Sequence, residues 1–316
     1  MIVFSTLGAS AIDVAGHRLT PAAERMFAAV LYLAVERGRE VPRGVVQELI
    51  FPDVKNGWHS LRQVLYQLRR LGLDIGRDPT HLRIDSSIVA DPVAAIVSRN
   101  GAAKCLSDDT LRSVAGGYLP GYAPVFSEAF SEWFDRHRSA VSIALLRALG
   151  GELAAARAAL DWPRVQLVAR ACLALDSMHE EATLLLAEHL AIAGSKSEAV
   201  GMIDRLLDDI GPAPKHPIRL PAAVLRRRIS ERVPEPYGTR EPPLVGRDGE
   251  LREMAHFLES RHSDAVAESG ETAGPTMLML VGSAGIGKTR LLQRAERMAA
   301  VDGLSVVRIA VQPHYV

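Results

Sequence analysis

Eight residues near the C-terminal end carry the most specific chemistry that spacing alone can offer. Gly282, Ser283, Ala284, Gly285, Ile286, Gly287, Lys288 and Thr289 satisfy the pattern G-x-x-x-x-G-K-[ST]. Glycines 282, 285 and 287 let the backbone curl so that its N–H groups point inward at phosphate oxygens. A helix starting at the lysine adds positive potential there. Lys288 is then placed for the β- and γ-phosphates of a nucleotide and Thr289 for its Mg²⁺ ion. Both flanks suit the motif: residues 277–281 form an apolar, strand-like run and residues 288–300 have a helical pattern. ATP with Mg²⁺ is the expected ligand. No other metal is expected, because the ten histidines form neither an HExxH motif nor a Cys/His cluster. A strand-like run at 304–310 precedes the final Val316, with no later strand ending in acidic residues to bind Mg²⁺ or activate water. Hydrolysis, and enzymatic activity generally, are therefore not expected.

A second constellation lies on a helix expected over residues 57–71. At about 100° per residue, Trp58, Leu61, Val64, Leu65, Leu68 and Leu71 gather on one side. His59, Arg62, Gln63, Tyr66 and Arg70 gather on the other, with Arg69 at the border. An apolar back packs on a domain, while a front of Arg, Gln and Tyr can meet base edges and phosphates of double-stranded DNA. From Phe51 to Arg83 there are six Lys/Arg (Lys55, Arg62, Arg69, Arg70, Arg77, Arg83) against three acids (Asp53, Asp74, Asp78). A solvated polar helix face accounts for the same periodicity, so both readings stand at this point.

These residues need elements to position them, and 316 residues suffice for two or three domains. Hydrophobic content of 48% with 23% charged residues permits real cores, and 5% aromatics makes them aliphatic. Lys+Arg and Asp+Glu balance at 37 each, so global charge says nothing about a polyanionic partner. Cys105 and Cys172 are far apart and lie in no metal-ligand spacing, which points to a reducing compartment. The apolar stretches at 27–35 and 277–281 fall short of the ~20 residues that span a bilayer, and no signal peptide is visible. A cytoplasmic protein without membrane attachment is expected.

Residues 1–95 begin with strand-like material at 2–7 and 11–14. Thr20-Pro21 is placed to cap a helix whose buried stripe is Met26, Val30, Leu33 and Ala34 and which ends at Gly38. Helices over 42–50 and 57–71 follow. Short β-prone pieces at 73–75 and 81–84 then flank Gly76-Arg77-Asp78-Pro79, a hairpin turn. This is the element order of a winged helix-turn-helix. Residues 96–232 are almost wholly helical in pattern. Val165, Ala169 and Cys172 recur 34 positions later as Ala199, Ile203 and Leu206, the period of tetratricopeptide helix hairpins. Cys172 falls on a packing position, as an inert thiol. His137, His179 and His189 sit in helical segments as surface or packing residues rather than catalysts. Prolines 212, 214, 217 and 221, then 234, 236, 242 and 243, crowd the following stretch, and 233–243 is a linker.

Together these residues resemble the antibiotic-regulatory-protein (SARP) activators in their large, ATPase-bearing form. Arg18-Leu19-Thr20 to Tyr32-Leu33, Ile50-Phe51-Pro52-Asp53, and Leu61-Arg62 through Leu68-Arg69-Arg70 are similar to that family's winged-helix (OmpR-like) head. Gly117-Tyr118-Leu119-Pro120-Gly121, Glu132-Trp133 and Arg136, with Leu175-Asp176 and His179-Glu180-Glu181-Ala182, resemble its bacterial transcriptional activation domain. Leu244-Val245-Gly246-Arg247 with Glu250-Leu251 resembles the adenine-side box of signal-transduction ATPases, adding Val245, Gly246 and Arg247 to the nucleotide site.

The resemblance implies a mainly α chain. It would comprise a winged-helix head at 1–95, a TPR-like activation domain at 96–232, a linker at 233–243 and the N-terminal part of an α/β P-loop NTPase at 244–316. It further implies a homodimer on direct-repeat promoter DNA that recruits RNA polymerase. It does not extend to the segment Pro79-Thr80-His81-Leu82-Arg83, which lacks the family's Gly-Tyr, so it implies no minor-groove contact there. Transcription activation by sequence-specific DNA binding, modulated by ATP, is the leading expectation. A nucleotide-dependent signalling protein whose winged helix no longer binds DNA is the alternative, and an inert remnant of a longer gene is a third.

Overall fold

The computed structural model describes residues 1–52, 54–76, 78–85, 89–98, 106–211, 216–234, 244–266 and 277–309. Asp53, Arg77, Cys105, Pro212, Pro214, Ala310 and linker residues 235–243 lie outside the described residues. The chain is mainly helical, at 62%, with a small mixed sheet. It divides into two compact units: Met1–Glu152 with Ala174–Ser177, and Leu153–Leu173 with Met178–Val316. The first unit thus spans the boundary anticipated at residue 95.

In the first unit, β1 (Ile2–Ser5), β2 (Ala11–Val14) and β3 (His17–Leu19) pair antiparallel, and β6 (Val89–Ala90) joins β1 in parallel. Period-2 burial along β1 sends Ile2 and Phe4 into the core. Helix α1 (Glu24–Val35) follows a 3₁₀ turn at Pro21–Ala23. Thr20 flanks this turn but makes no side-chain capping bond, because the tighter turn takes the Thr20 carbonyl for the Ala23 amide instead. From Phe27 to Ala34 every residue of α1 is buried, so the helix is a core element rather than a striped surface one, and the anticipated stripe member Met26 is only half-buried. Helices α2 (Arg43–Ile50) and α3 (Gly57–Arg70) pack on it and on each other. The two-residue strands β4 (Val41–Pro42) and β5 (His81–Leu82) pair antiparallel. Helix α4 (Pro92–Val97) is capped by Asp91, whose Oδ1 accepts from the amides of Val93 and Ala94. Its Oδ2 meets Arg37 at 2.9 Å.

The same unit continues through α5 (Asp108–Ala115) and much of α6 (Glu128–Ala158). A Cβ on Gly116 would lie 2.5 Å from the Cα of Gly8, so only glycine lets these two backbones meet. There the Gly8 amide donates to Gly117 O at 2.8 Å and the Leu119 amide to Thr6 O at 2.7 Å. An aromatic cluster then fills the space against α1. Phe27 meets Tyr122 edge-on at 5.0 Å, Tyr32 meets Trp133 at 4.9 Å, and Trp133 stacks on His137 at 5.4 Å. His137 Nε2 pairs with the Tyr118 hydroxyl at 2.9 Å, and burial lowers its pKa, which keeps the ring neutral.

By length and composition α6 is apolar enough to cross a membrane. Its Phe130, Phe134, Val141, Leu145, Leu149 and Leu153 are buried along one stripe, with 28% of the apolar window buried in all.

The second unit comprises α7 (Trp162–Leu175, apart from its last two residues), α8 (Glu180–Ala193), α9 (Lys196–Ile210), α10 (Arg219–Arg232), α11 (Asp248–Val266) and α12 (Lys288–Asp302). Val165, Ala169 and Cys172 of α7 and their 34-residue counterparts Ala199, Ile203 and Leu206 of α9 are all buried. Burial pushes the Cys172 thiol up to about 12, so it packs as an inert side chain. His179 begins α8 by accepting the Ala182 amide on Nδ1, and Gly194 at φ +98° ends it with Ser195 N donating to Leu190 O. Helix α12 packs against α8, α10 and α11.

Candidate functional site

Helix α3 starts in close contact with α2. A Cβ at Gly57 would fall 2.6 Å from Gln47 Nε2 and 3.0 Å from Phe51 O, so glycine opens the helix. Gly57, Leu61, Leu65 and Leu68 are buried, each one helical turn beyond the last. His59, Arg62, Gln63, Tyr66 and Arg70 are exposed on the opposite face, and Tyr66 keeps 62% of its surface. Two assignments change. Trp58, placed with the apolar side by periodicity, is 50% exposed, because the buried stripe starts at Gly57 and Trp58 lies about 100° round from it. Arg69 is exposed, but its Nη2 donates to the carbonyls of Ile75 and Gly76, both at 3.2 Å, so it braces the following segment.

Residues 73–76 form no strand among the described residues, and the Gly76 amide donates to Arg83 O at 3.3 Å in place of the anticipated hairpin strand. The turn beyond is organised by Asp78. Its Oδ1 accepts from Thr80 Oγ1 and the Thr80 amide, both at 2.6 Å, and from the His81 amide at 2.8 Å. The Thr80 hydroxyl and these amides hold the carboxyl down to about 2, so it stays ionised at any physiological pH. Gly38 N to Ile84 O (2.8 Å) and Arg43 N to Thr80 O (2.9 Å) tie the segment to the ends of α1 and α2.

In the second unit the motif 282–289 curls as its glycines allow. Gly285 (φ +80°) and Gly287 (φ +98°) take left-handed conformations, and α12 begins immediately after Gly287. Lys288 Nζ folds back over the loop, donating to Gly282 O at 2.6 Å and Ser283 O at 2.8 Å. Arg247 Nη2 donates to Ile286 O at 3.2 Å, and its Nη1 meets Glu250 at 2.6 Å, so the box at 244–247 and the loop are brought together. Val245, Gly246 and Thr289 are exposed beside them.

The flanks differ from expectation. Runs 277–281 and 304–309 carry no strand pairing among the described residues. Gly303 (φ +92°) directs the Leu304 amide back to Ala299 O at 2.8 Å, closing the helix. Met277, Met279, Val281, Val307 and Ile309 are exposed.

Among the described residues no group of three or more His, Cys, Asp or Glu side chains is placed to hold a metal ion. Compared with known protein families, curated proteins and solved structures, the chain matches none.

Proposed function

We propose that this chain is a cytoplasmic, sequence-specific transcription activator of the antibiotic-regulatory-protein type. In this reading the head is a winged helix-turn-helix that docks α3 in the major groove of promoter DNA, as a homodimer on repeated half-sites. The TPR-like helices engage RNA polymerase, and ATP is held as a ligand on the P-loop. The observation that carries the reading is the division of α3: Leu61, Leu65 and Leu68 fasten the helix, leaving Arg62, Gln63, Tyr66 and Arg70 free of the core on one exposed face. The loop supports the nucleotide part. Lys288 already reaches its interior, so the ammonium that meets Gly282 and Ser283 carbonyls would turn to phosphate oxygens, and Thr289 would supply an oxygen to Mg²⁺.

Selection of bound fragments from a genomic library by the purified chain tests the first part. Enrichment of a short repeated motif is expected, and an unenriched pool would sink the proposal. ATP–Mg²⁺ binding, followed by calorimetry, should disappear in Lys288→Ala.

One observation favours the alternative reading, a nucleotide-dependent interaction protein. Trp58 and Tyr66 put two large aromatic surfaces on α3, the composition of a protein-binding hot spot. Loss of fragment enrichment with retained ATP binding would select that reading.

A further inference from the structure

A cavity of about 390 Å³ opens within the second unit, walled by the starts of α7 and α11, the end of α8 and one side of α12. Its volume falls in the range of about 300–1,000 Å³ typical of small-molecule sites. The wall includes two unsatisfied ring nitrogens. Trp162 and His189 are each only 7% exposed, and Trp162 Nε1 and His189 Nδ1 have no hydrogen-bond partner among the described residues. Buried polar atoms are rarely left this way, and an indole N–H can only donate, so it calls for an acceptor from outside the protein.

The remaining wall sets the chemistry of that acceptor. Four arginines (Arg252, Arg290, Arg294 and Arg297) face two acids, Asp161 and Asp248. The Asp161 carboxylate already accepts the Arg164 amide at 3.2 Å to start α7. Leu160, Ile192, Leu251 and Met298 supply apolar surface beside the Trp162 and His189 rings, whose centroids are 6.5 Å apart. None of residues 282–289 or 245–247 contributes to the lining, so the cavity is separate from the phosphate loop although both use α12.

We infer that this cavity binds a small organic anion with a flat apolar body. The anionic group lies among the arginines, and an acceptor atom takes the Trp162 indole proton. Such a ligand touches α7 and α8 on one side and α11 and α12 on the other, so its binding stiffens the seat of the helix that follows the phosphate loop.

Naphthalene-2-sulfonate is a suitable probe, with neutral 2-naphthalenemethanol as its control. The full chain, labelled with ¹⁵N in its three tryptophans, gives three indole N–H signals, and Trp162→Phe identifies one of them. The sulfonate should move the Trp162 signal saturably while leaving those of Trp58 and Trp133 in place. The neutral compound should bind at least tenfold more weakly. Arg252→Gln, a change at an exposed side chain, should weaken sulfonate binding at least threefold. An unmoved Trp162 signal, equal affinity for the neutral compound, unchanged affinity in Arg252→Gln, or displacement by excess ATP–Mg²⁺ would each overturn the inference.

Discussion

Helix α3 is held from beneath along its length, whereas the phosphate loop is held mainly from behind, through the helix that follows it, with Arg247 reaching the Ile286 carbonyl from the side. Under α3 lie Gly57, Leu61, Leu65 and Leu68, all buried, and Arg69 ties its last turn to the next segment. Behind the loop, α12 is fixed by Leu291, Met298 and Val301 and by arginines that reach helix ends. Arg294 donates to Ile192 O at 2.9 Å, Arg228 to Val301 O at 3.4 Å, and Arg232 to Gly303 O. In front of it, residues 277–281 are largely exposed and have no strand partner among the described residues. A functional surface can therefore rest on a stripe of leucines or on one well-seated helix. The two arrangements should fail in different ways.

Leu65→Ala gives the largest expected effect. Removing a side chain that is 2% exposed opens a cavity under α3 and should cost about 2–5 kcal/mol in urea denaturation. A cost below about 1 kcal/mol would mean that α3 is not braced as described.

Next comes the seat of α12, where two neighbouring residues of α8 titrate in opposite senses. Burial pushes the Glu188 carboxyl up to about 7 from 4.5, against the pull of Arg157 at 3.4 Å. Burial, aided by Arg294 and Arg170, pushes His189 down to about 4 from 6.5. Between pH 4.5 and 7 the folded state keeps a proton on Glu188 that the unfolded chain has released, so this contribution to stability falls as pH rises. Between pH 4 and 6.5 the folded state refuses a proton on His189 that the unfolded chain accepts, so that contribution rises with pH. Over their shared range the slopes oppose each other. Glu188→Gln removes one of them, and stability should then climb from pH 4 to 6.5 by up to about 3 kcal/mol. Parallel pH profiles for the variant and the parent would contradict the assignment.

On the α3 face, Arg62→Ala or Tyr66→Ala should weaken DNA binding at fixed salt by about 1–3 kcal/mol with the fold intact. Arg69→Ala should instead lower stability by about 1 kcal/mol, because its guanidinium holds backbone carbonyls. If Arg69→Ala abolished DNA binding at full stability, its bracing role would be refuted. The smallest effect belongs to the exposed run. Val307→Asp, at a side chain 82% exposed, should change unfolding by no more than about 0.5 kcal/mol. A cost of several kcal/mol would mean that this strand-like run is buried against a partner in solution.

Local spacing made much of this legible in the sequence. The 34-residue recurrence found six positions that are all buried, since a helix hairpin repeats its own packing. The leucine stripe of α3 and the curl at Gly285 and Gly287 are likewise properties of a few adjacent residues. What escaped depends on distant partners. No periodicity reveals that Arg69 is occupied by carbonyls six and seven residues on, or that Gly57 rather than Trp58 opens the buried stripe. The runs at 277–281 and 304–309 have strand composition, but a strand exists only with a neighbour to pair. The unsatisfied indole of Trp162 is invisible until α8 is folded beside it.

The aromatic cluster on α1 bears on how the first unit could be exchanged between proteins. Phe27 and Tyr32 are covered by Tyr122 and Trp133, nearly a hundred residues further along the chain. Cutting at residue 95 would leave that face of α1 open to solvent and prone to self-association. A piece that recombination could move intact therefore runs past residue 95 to Glu152 and carries most of α6 with it.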